Sequence, residues 1–117
     1  MITLYDNGDT AIACAYRAGR AAAPVNITGA SIRSHIRRKV TDPLPLIDLS
    51  TANGAIRILD GPAGRFQIDI PAGAVAAALG EAAALTDLML DVVLILPGAG
   101  PVNLGRTGVA LYRGVTR

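Results

Sequence analysis

The chain contains a single histidine, His35, and a single cysteine, Cys14, and both residue types can act as nucleophiles, bases or metal ligands. His35 stands between Arg33 and Arg37 in an alternating stretch, without the neighbouring carboxylate or second ligand that catalysis or zinc binding requires. Cys14 alternates with apolar residues, which is typical of a small buried side chain. We therefore predict structural roles for both residues.

The acidic and glycine-rich segments also lack the spacing of a reactive site. Asp87 and Asp91 share a face of a predicted strand but stand roughly 13 Å apart, too far for a carboxylate dyad or a shared metal ion. No loop carries the cluster of acidic oxygens that calcium requires. Gly98 and Gly100 lie between two predicted strands, so they lack the helix N-terminus that binds phosphate. The sequence predicts no catalytic residue, no metal site, no cofactor and no enzymatic activity.

A basic cluster is the one charge feature that favours a functional role. It comprises Arg33, Arg37, Arg38 and Lys39. These residues form either a solvated strand face or an assembly contact with an acidic neighbour. Binding to nucleic acid is a weaker interpretation, because no aromatic residue alternates with the arginines and the net charge of the chain is only +2. We expect no specific nucleic-acid partner.

The composition indicates one folded domain over residues 1–117. Hydrophobic residues make up 51% of the 117-residue chain and charged residues 17%, which is sufficient for a core without disulfides. The apolar stretches are interrupted by Thr86, Asp87 and Asp91, and none approaches the roughly 20 residues of a membrane span. We expect no membrane partner.

Alternation of apolar and polar residues predicts an all-β fold. Predicted strands cover residues 9–17, 30–38, 55–59, 65–70, 87–96 and 102–112. Turn residues such as Asn53-Gly54 and Asp60-Gly61 separate them at short intervals. Gly105 and Gly108 indicate a bend or bulge in the last strand. Short strands with frequent turns are typical of a sandwich or a barrel.

One alanine-rich segment breaks this alternation and predicts a short helix over residues 72–79. Alanine favours helix, Pro71 suits the first helical position, and Gly80 is a plausible C-terminal cap. The helix would connect two strands at one end of the fold.

Five motifs occur along the chain in an order that resembles a known family. They are Gly8-Asp9-Thr10, the segment 24–29 (PVNITG), Asn53-Gly54, the segment 64–68 (GRFQI) and the terminal segment 114–117 (GVTR). This order resembles small structural proteins of tailed phages and prophages. It is also similar to the N-terminal immunoglobulin-like domain of siphophage upper baseplate proteins. The resemblance extends from Gly8 to Arg117.

The resemblance implies an immunoglobulin-like antiparallel β-sandwich without catalysis. It implies a virion structural component of the tail or baseplate, made in the host cytoplasm, whose partners are copies of itself and other virion proteins. Residues 1–7 and 114–117 are expected to become ordered only on assembly. The alternative is a head-decoration or host-surface-binding module, although scarce aromatic residues argue against sugar binding.

Overall fold

The computed structural model describes residues 2–18, 23–38 and 44–114. Within these ranges the chain forms ten strands and one helix. They are β1 (Ile2–Tyr5), β2 (Thr10–Ala15), β3 (Arg17–Ala18), β4 (Ala23–Pro24), β5 (Ser31–Arg37), β6 (Ile47–Ser50), β7 (Ile56–Asp60), β8 (Arg65–Ile70), α1 (Ala72–Leu79), β9 (Ala84–Ile95) and β10 (Pro101–Tyr112). The prediction of an all-β chain with one short helix at residues 72–79 is confirmed.

The strands form two main sheets and a small ribbon. The larger sheet has the order β1-β10-β9-β5-β6, the smaller has the order β2-β8-β7, and β3 pairs with β4. Neighbouring strands are antiparallel, except that β1 runs parallel to β10, with Ile2 opposite Val109 and Tyr5 opposite Tyr112. This pair departs from the wholly antiparallel expectation. Parallel neighbours need a long connection, and here almost the whole chain lies between them.

A hydrophobic core joins the two sheets and the helix. On β5, Ile32, Ser34 and Ile36 are buried, whereas Arg33 is exposed, so the predicted alternation of this strand is confirmed. Burial of each large apolar side chain contributes about 1.5–3 kcal/mol. The fully buried apolar residues come from both sheets, the helix and the loop before β5: Leu4, Ile27, Ile32, Ile36, Ile68, Ile70, Val75, Leu94, Val109 and Leu111.

Helix α1 begins and ends where the sequence predicts, but its first turn is capped from another part of the chain. Pro71 is the N-cap residue, with extended backbone angles, rather than the first helical residue. The Asp9 carboxylate accepts a hydrogen bond of 2.8 Å from the backbone N–H of Ala72. Gly80, with a φ of 59°, ends the helix. The helix is thereby attached to the start of β2.

Residues 2–7 belong to the fold, contrary to the expectation that they become ordered only on assembly. Leu4 on β1 is fully buried. The backbone N–H of Asp6 donates to the carbonyl of Tyr112, and the Asp6 carboxylate accepts a hydrogen bond of 2.6 Å from the N–H of Gly114. Arg113 donates to the same carboxylate at 3.4 Å. Met1 and residues 115–117, which belong to the same expectation, lie outside the described residues.

Two bulges curve the long hairpin of β9 and β10. One lies between Asn103 and Gly105, where the sequence predicts it. The other lies opposite Ala110, where Asp87 adopts a φ of 60° that aspartate tolerates better than most residues.

Candidate functional site

The outer face of the larger sheet carries two of the four residues of the predicted basic cluster. Arg33 and Arg37 lie on the outward side of β5, and Arg38 is exposed immediately after it. Lys39 lies outside the described residues. Neither the Arg33 nor the Arg38 side chain makes a hydrogen bond or ion pair with the described part of the chain. Both guanidinium groups therefore have their donors available to a partner.

The strand register places four titratable residues in one row across this face. Asp48 on β6 lies opposite His35 on β5, His35 lies opposite Asp91 on β9, and Asp91 lies opposite Arg106 on β10. Sequence reasoning missed this row because β6 is only four residues long and was not predicted. No local signal in the sequence connects Asp48 with His35.

His35 is held between an acceptor and a donor. Its Nε2 lies 3.0 Å from Oδ1 of Asp48, and the Arg37 guanidinium lies 2.7 Å from its Nδ1. Arginine only donates, so this geometry assigns the proton of neutral His35 to Nε2 and the lone pair to Nδ1. Both ring nitrogens are thus engaged, and the ring has no free lone pair for a substrate proton. His35 connects β6 and β5, and the sequence expectation that it lacks a carboxylate partner is wrong.

Arg37 has one unsatisfied donor in the described structure. Its Nε is buried and has no hydrogen-bond partner among the described residues. Beside it, His35, Met89, Asp91 and Arg106 border a hollow of about 10 Å³. This is close to the space that one water molecule requires. Arg37 therefore bonds to His35 and lines this small hollow, while its Nε has no partner among the described residues.

Exposed apolar side chains lie on the same face. Tyr5 on β1 and Tyr112 on β10 are register partners whose ring centroids are 6.1 Å apart. Both rings are more than a third exposed, as is Met89 in the middle of the face. Aromatic residues, methionine and arginine are the types enriched in protein interfaces. This composition is suited to binding another protein surface.

A groove of about 770 Å³ runs between β6, the start of β2 and the helix. Its polar lining includes Asp9, Asp48, Asn53 and Asp69. Asp9 caps α1, Asp48 binds His35, and Asp69 binds Arg57. The Asn53 amide bonds to backbone groups on both sides of its turn. The volume lies within the range of small-molecule sites, but each of these polar groups already has an intramolecular partner.

A second cleft, of about 300 Å³, lies between β2 and the first half of β10. Its lining is mainly apolar: Ile2, Ile12, Cys14, Phe66, Ile68, Leu90, Val92 and Leu104. Cys14 is half-buried here, and burial raises the pKa of its thiol above the ordinary value of 9.0. The thiol is therefore protonated and weakly nucleophilic at neutral pH.

Within residues 2–18, 23–38 and 44–114, no three His, Cys, Asp or Glu side chains are grouped closely enough to hold a metal ion. In the same ranges, no helix has the length and apolarity needed to cross a bilayer. A scan against protein-family models and a search of curated proteins both find no match to this chain.

Proposed function

We propose that this chain is an immunoglobulin-like β-sandwich that serves as a structural subunit of a tailed phage or phage-like particle, in the tail or baseplate. It acts by binding copies of itself and other structural proteins. The strand order supports this fold. The order β10-β9-β5-β6 corresponds to G-F-C-C′ of variable-type immunoglobulin domains, and β2-β8-β7 corresponds to B-E-D.

The observation that carries the proposed role is the outer face of the larger sheet. It combines exposed tyrosines and Met89 with the unpaired cation Arg33, and the exposed Arg38 follows the end of β5. Exposed apolar groups bordered by unpaired charges favour association with a protein of complementary charge. The order of sequence motifs supports a phage particle as the setting.

The test is to purify particles from the source of the chain and to identify their proteins by mass spectrometry. We expect the chain to be present in stoichiometric amounts and in contact with tail or baseplate proteins after cross-linking. Its absence from purified particles would overturn the proposal.

A charge reversal tests the contact surface. Arg33→Glu places a negative charge on the outer face of the larger sheet, whereas Arg65→Glu makes the same change on an exposed residue of β8 in the other sheet. We expect the Arg33 variant to be incorporated less than the Arg65 variant while both fold equally well. Equal incorporation would exclude this face as the contact.

The alternative, a head-decoration or host-surface-binding module, is favoured by the 770 Å³ groove beside β6. No aromatic residue is among its described lining residues, and its polar groups are engaged within the chain. Binding of the isolated chain to a glycan array would favour this alternative over the assembly role.

A further inference from the structure

β2 is a sheet edge without the features that usually protect such edges. Its residues, Thr10–Ala15, include no charge and no proline, and they pair with β8 without a bulge. The opposite edge, β7, carries Arg57 and a register shift before Asp60. At the free edge of β6, the Asn53 amide donates to the Asp48 carbonyl at 3.1 Å. Among these three edges, β2 is therefore the best prepared to pair with another strand.

The backbone groups of three alanines point toward this free side. The N–H of Tyr16 donates to the carbonyl of Gly64, which continues the ladder between β2 and β8. In an antiparallel ladder, alternate residues direct both backbone groups to the same neighbour. Ala11, Ala13 and Ala15 therefore direct their N–H and C=O groups away from β8. An added strand would find these donors and acceptors at regular spacing.

The 300 Å³ cleft provides a place for the side chains of such a strand. On this side, β10 and β1 of the larger sheet extend beyond the edge formed by β2. Because β1 pairs only with residues 109–112 of β10, the first half of β10 is left open next to the cleft. An extended segment beside the six residues of β2 would span about 20 Å and direct alternate side chains into the cleft. There they would contact Ile12, Phe66 and Leu104. Immunoglobulin-like domains carry a fourth strand, A, beside strand B at this place.

The shape of the cleft favours a single segment over the edge of a second copy. Antiparallel pairing of two β2 strands would bring both copies of β10 and β1 to the same side, where they would collide.

The lining of the cleft indicates what the segment carries. The side chains that face it from both sheets are mainly apolar, among them Ile12, Phe66 and Leu104. A segment with apolar residues at alternate positions would bury them there, whereas a charged side chain would lose its water without gaining a partner.

We propose that β2 and this cleft accept an extended segment of another structural protein, with apolar residues at alternate positions. This is strand addition to a free sheet edge. The assignment of the partner to the particle rests on the proposed function, whereas the strand-accepting cleft rests on the geometry of β2 and β10.

The probe is a capped nine-residue peptide in which valine alternates with threonine. With the unmodified protein, we expect bound peptide to slow amide exchange of Ala11, Ala13 and Ala15 about tenfold or more. A peptide with lysine in place of the central valine should bind at least about fivefold more weakly, because the cleft would take the charge out of water. No slowing of exchange at millimolar peptide would overturn the proposal.

A matched pair of variants tests the backbone contact. Ala13→Pro removes a donor from the free edge, where proline is tolerated, whereas Ala13→Val changes the side chain but keeps the N–H. We expect only the proline variant to lose peptide binding. If both variants fold and bind the peptide equally well, strand addition is contradicted. If the proline variant does not fold, the amide-exchange measurement on the unmodified protein remains the test.

Particles separate this inference from the proposed function. If the wild-type chain is present and Ala13→Pro and Ala13→Val are incorporated equally, the strand-accepting role in the particle is wrong while the structural role stands. If the wild-type chain is absent although the peptide binds, the structural role is wrong and the cleft stands.

Discussion

The carboxylate of Asp6, just after β1, accepts a hydrogen bond of 2.6 Å from the backbone N–H of Gly114, just after β10. Arg113 also donates to it at 3.4 Å, and the Asp6 side chain is 1% exposed. The first and last strands are thus joined by their main chains and by a buried charged group.

Replacing Asp6 should therefore destabilise the whole fold. Asp6→Ala leaves the Gly114 N–H and the Arg113 guanidinium without this acceptor, so we expect the free energy of unfolding to fall by about 3 kcal/mol. Asp6→Asn retains an acceptor oxygen but no charge, and its loss should be smaller. Urea denaturation measures both changes. If Asp6→Ala lowered the free energy of unfolding no more than an average surface substitution does, the structural role of Asp6 would be contradicted.

Gly64 should be far less tolerant of alanine than Gly54, although both have positive φ angles of 70° and 83°. A Cβ at Gly64 would lie 2.6 Å from the carbonyl oxygen of Tyr16 and 2.7 Å from that of Val25, whereas a Cβ at Gly54 meets open space. Gly54→Ala should cost about 1–2 kcal/mol from backbone strain alone. Gly64→Ala should cost about 2 kcal/mol more because backbone atoms must move. If thermal and urea unfolding showed the same loss of stability for both variants, the contacts of the added Cβ at Gly64 would be relieved without further cost.

The cap that Asp9 provides to α1 should contribute about 1 kcal/mol, since Pro71 provides no side-chain cap. Asp9→Ala removes this acceptor and should also speed amide exchange at Ala72. Asp9→Asn keeps an acceptor oxygen for the Ala72 N–H, so its free energy of unfolding should fall by only a few tenths of a kcal/mol. If the two variants are equally stable, the Asp9 contact has no capping role.

Ser34→Ala should stabilise the protein. Ser34 is fully buried on β5, and its hydroxyl has no hydrogen-bond partner among the described residues. Removing an unsatisfied buried hydroxyl should raise the free energy of unfolding by about 1 kcal/mol. Ser31→Ala, at an exposed position of the same strand, is the control and should change it by less than about 0.5 kcal/mol. A destabilised Ser34→Ala variant would indicate that the hydroxyl has a partner.

Cys14 should make stability fall at alkaline pH. Because burial raises the pKa of its thiol above 9.0, the unfolded chain releases this proton at a lower pH than the folded chain does. The stability that the protonated Cys14 thiol contributes is fully present below pH 9.0, the pKa of the thiol in the unfolded chain. It is lost as the pH rises through the raised pKa of the folded state. We expect wild type to lose more stability than Cys14→Ala between about pH 8 and about pH 10.5. Parallel losses in the two proteins would mean that the folded thiol titrates normally.

The helix and the central strands could be predicted from local sequence, because their signals lie within single segments. The alanine run predicts Ala72–Leu79, and the alternation in β5 assigns Ile32 and Ile36 to the core. β1 and β6 escaped prediction because each has only four residues. β1 pairs with β10 at the other end of the chain, and β6 depends on its register with β5.

The candidate site was predictable only in part for the same reason. Arg33 and Arg37 share a face through the alternation of one strand. In contrast, the contact between Asp48 and His35 depends on the register of β6 against β5, which no single segment encodes. The free edge at β2 likewise depends on β1 pairing with β10 instead.

The parallel pairing of β1 with β10 also has a mechanical consequence. In a parallel pair, the N-terminal end of one strand and the C-terminal end of the other lie at opposite ends of the ladder. Tension applied through the two ends of the described fold therefore shears this ladder lengthwise and loads its hydrogen bonds together, instead of opening them one at a time. Forced unfolding is governed by the rate of rupture rather than by equilibrium stability. The strand pair that closes the fold is thus oriented to resist pulling along the chain.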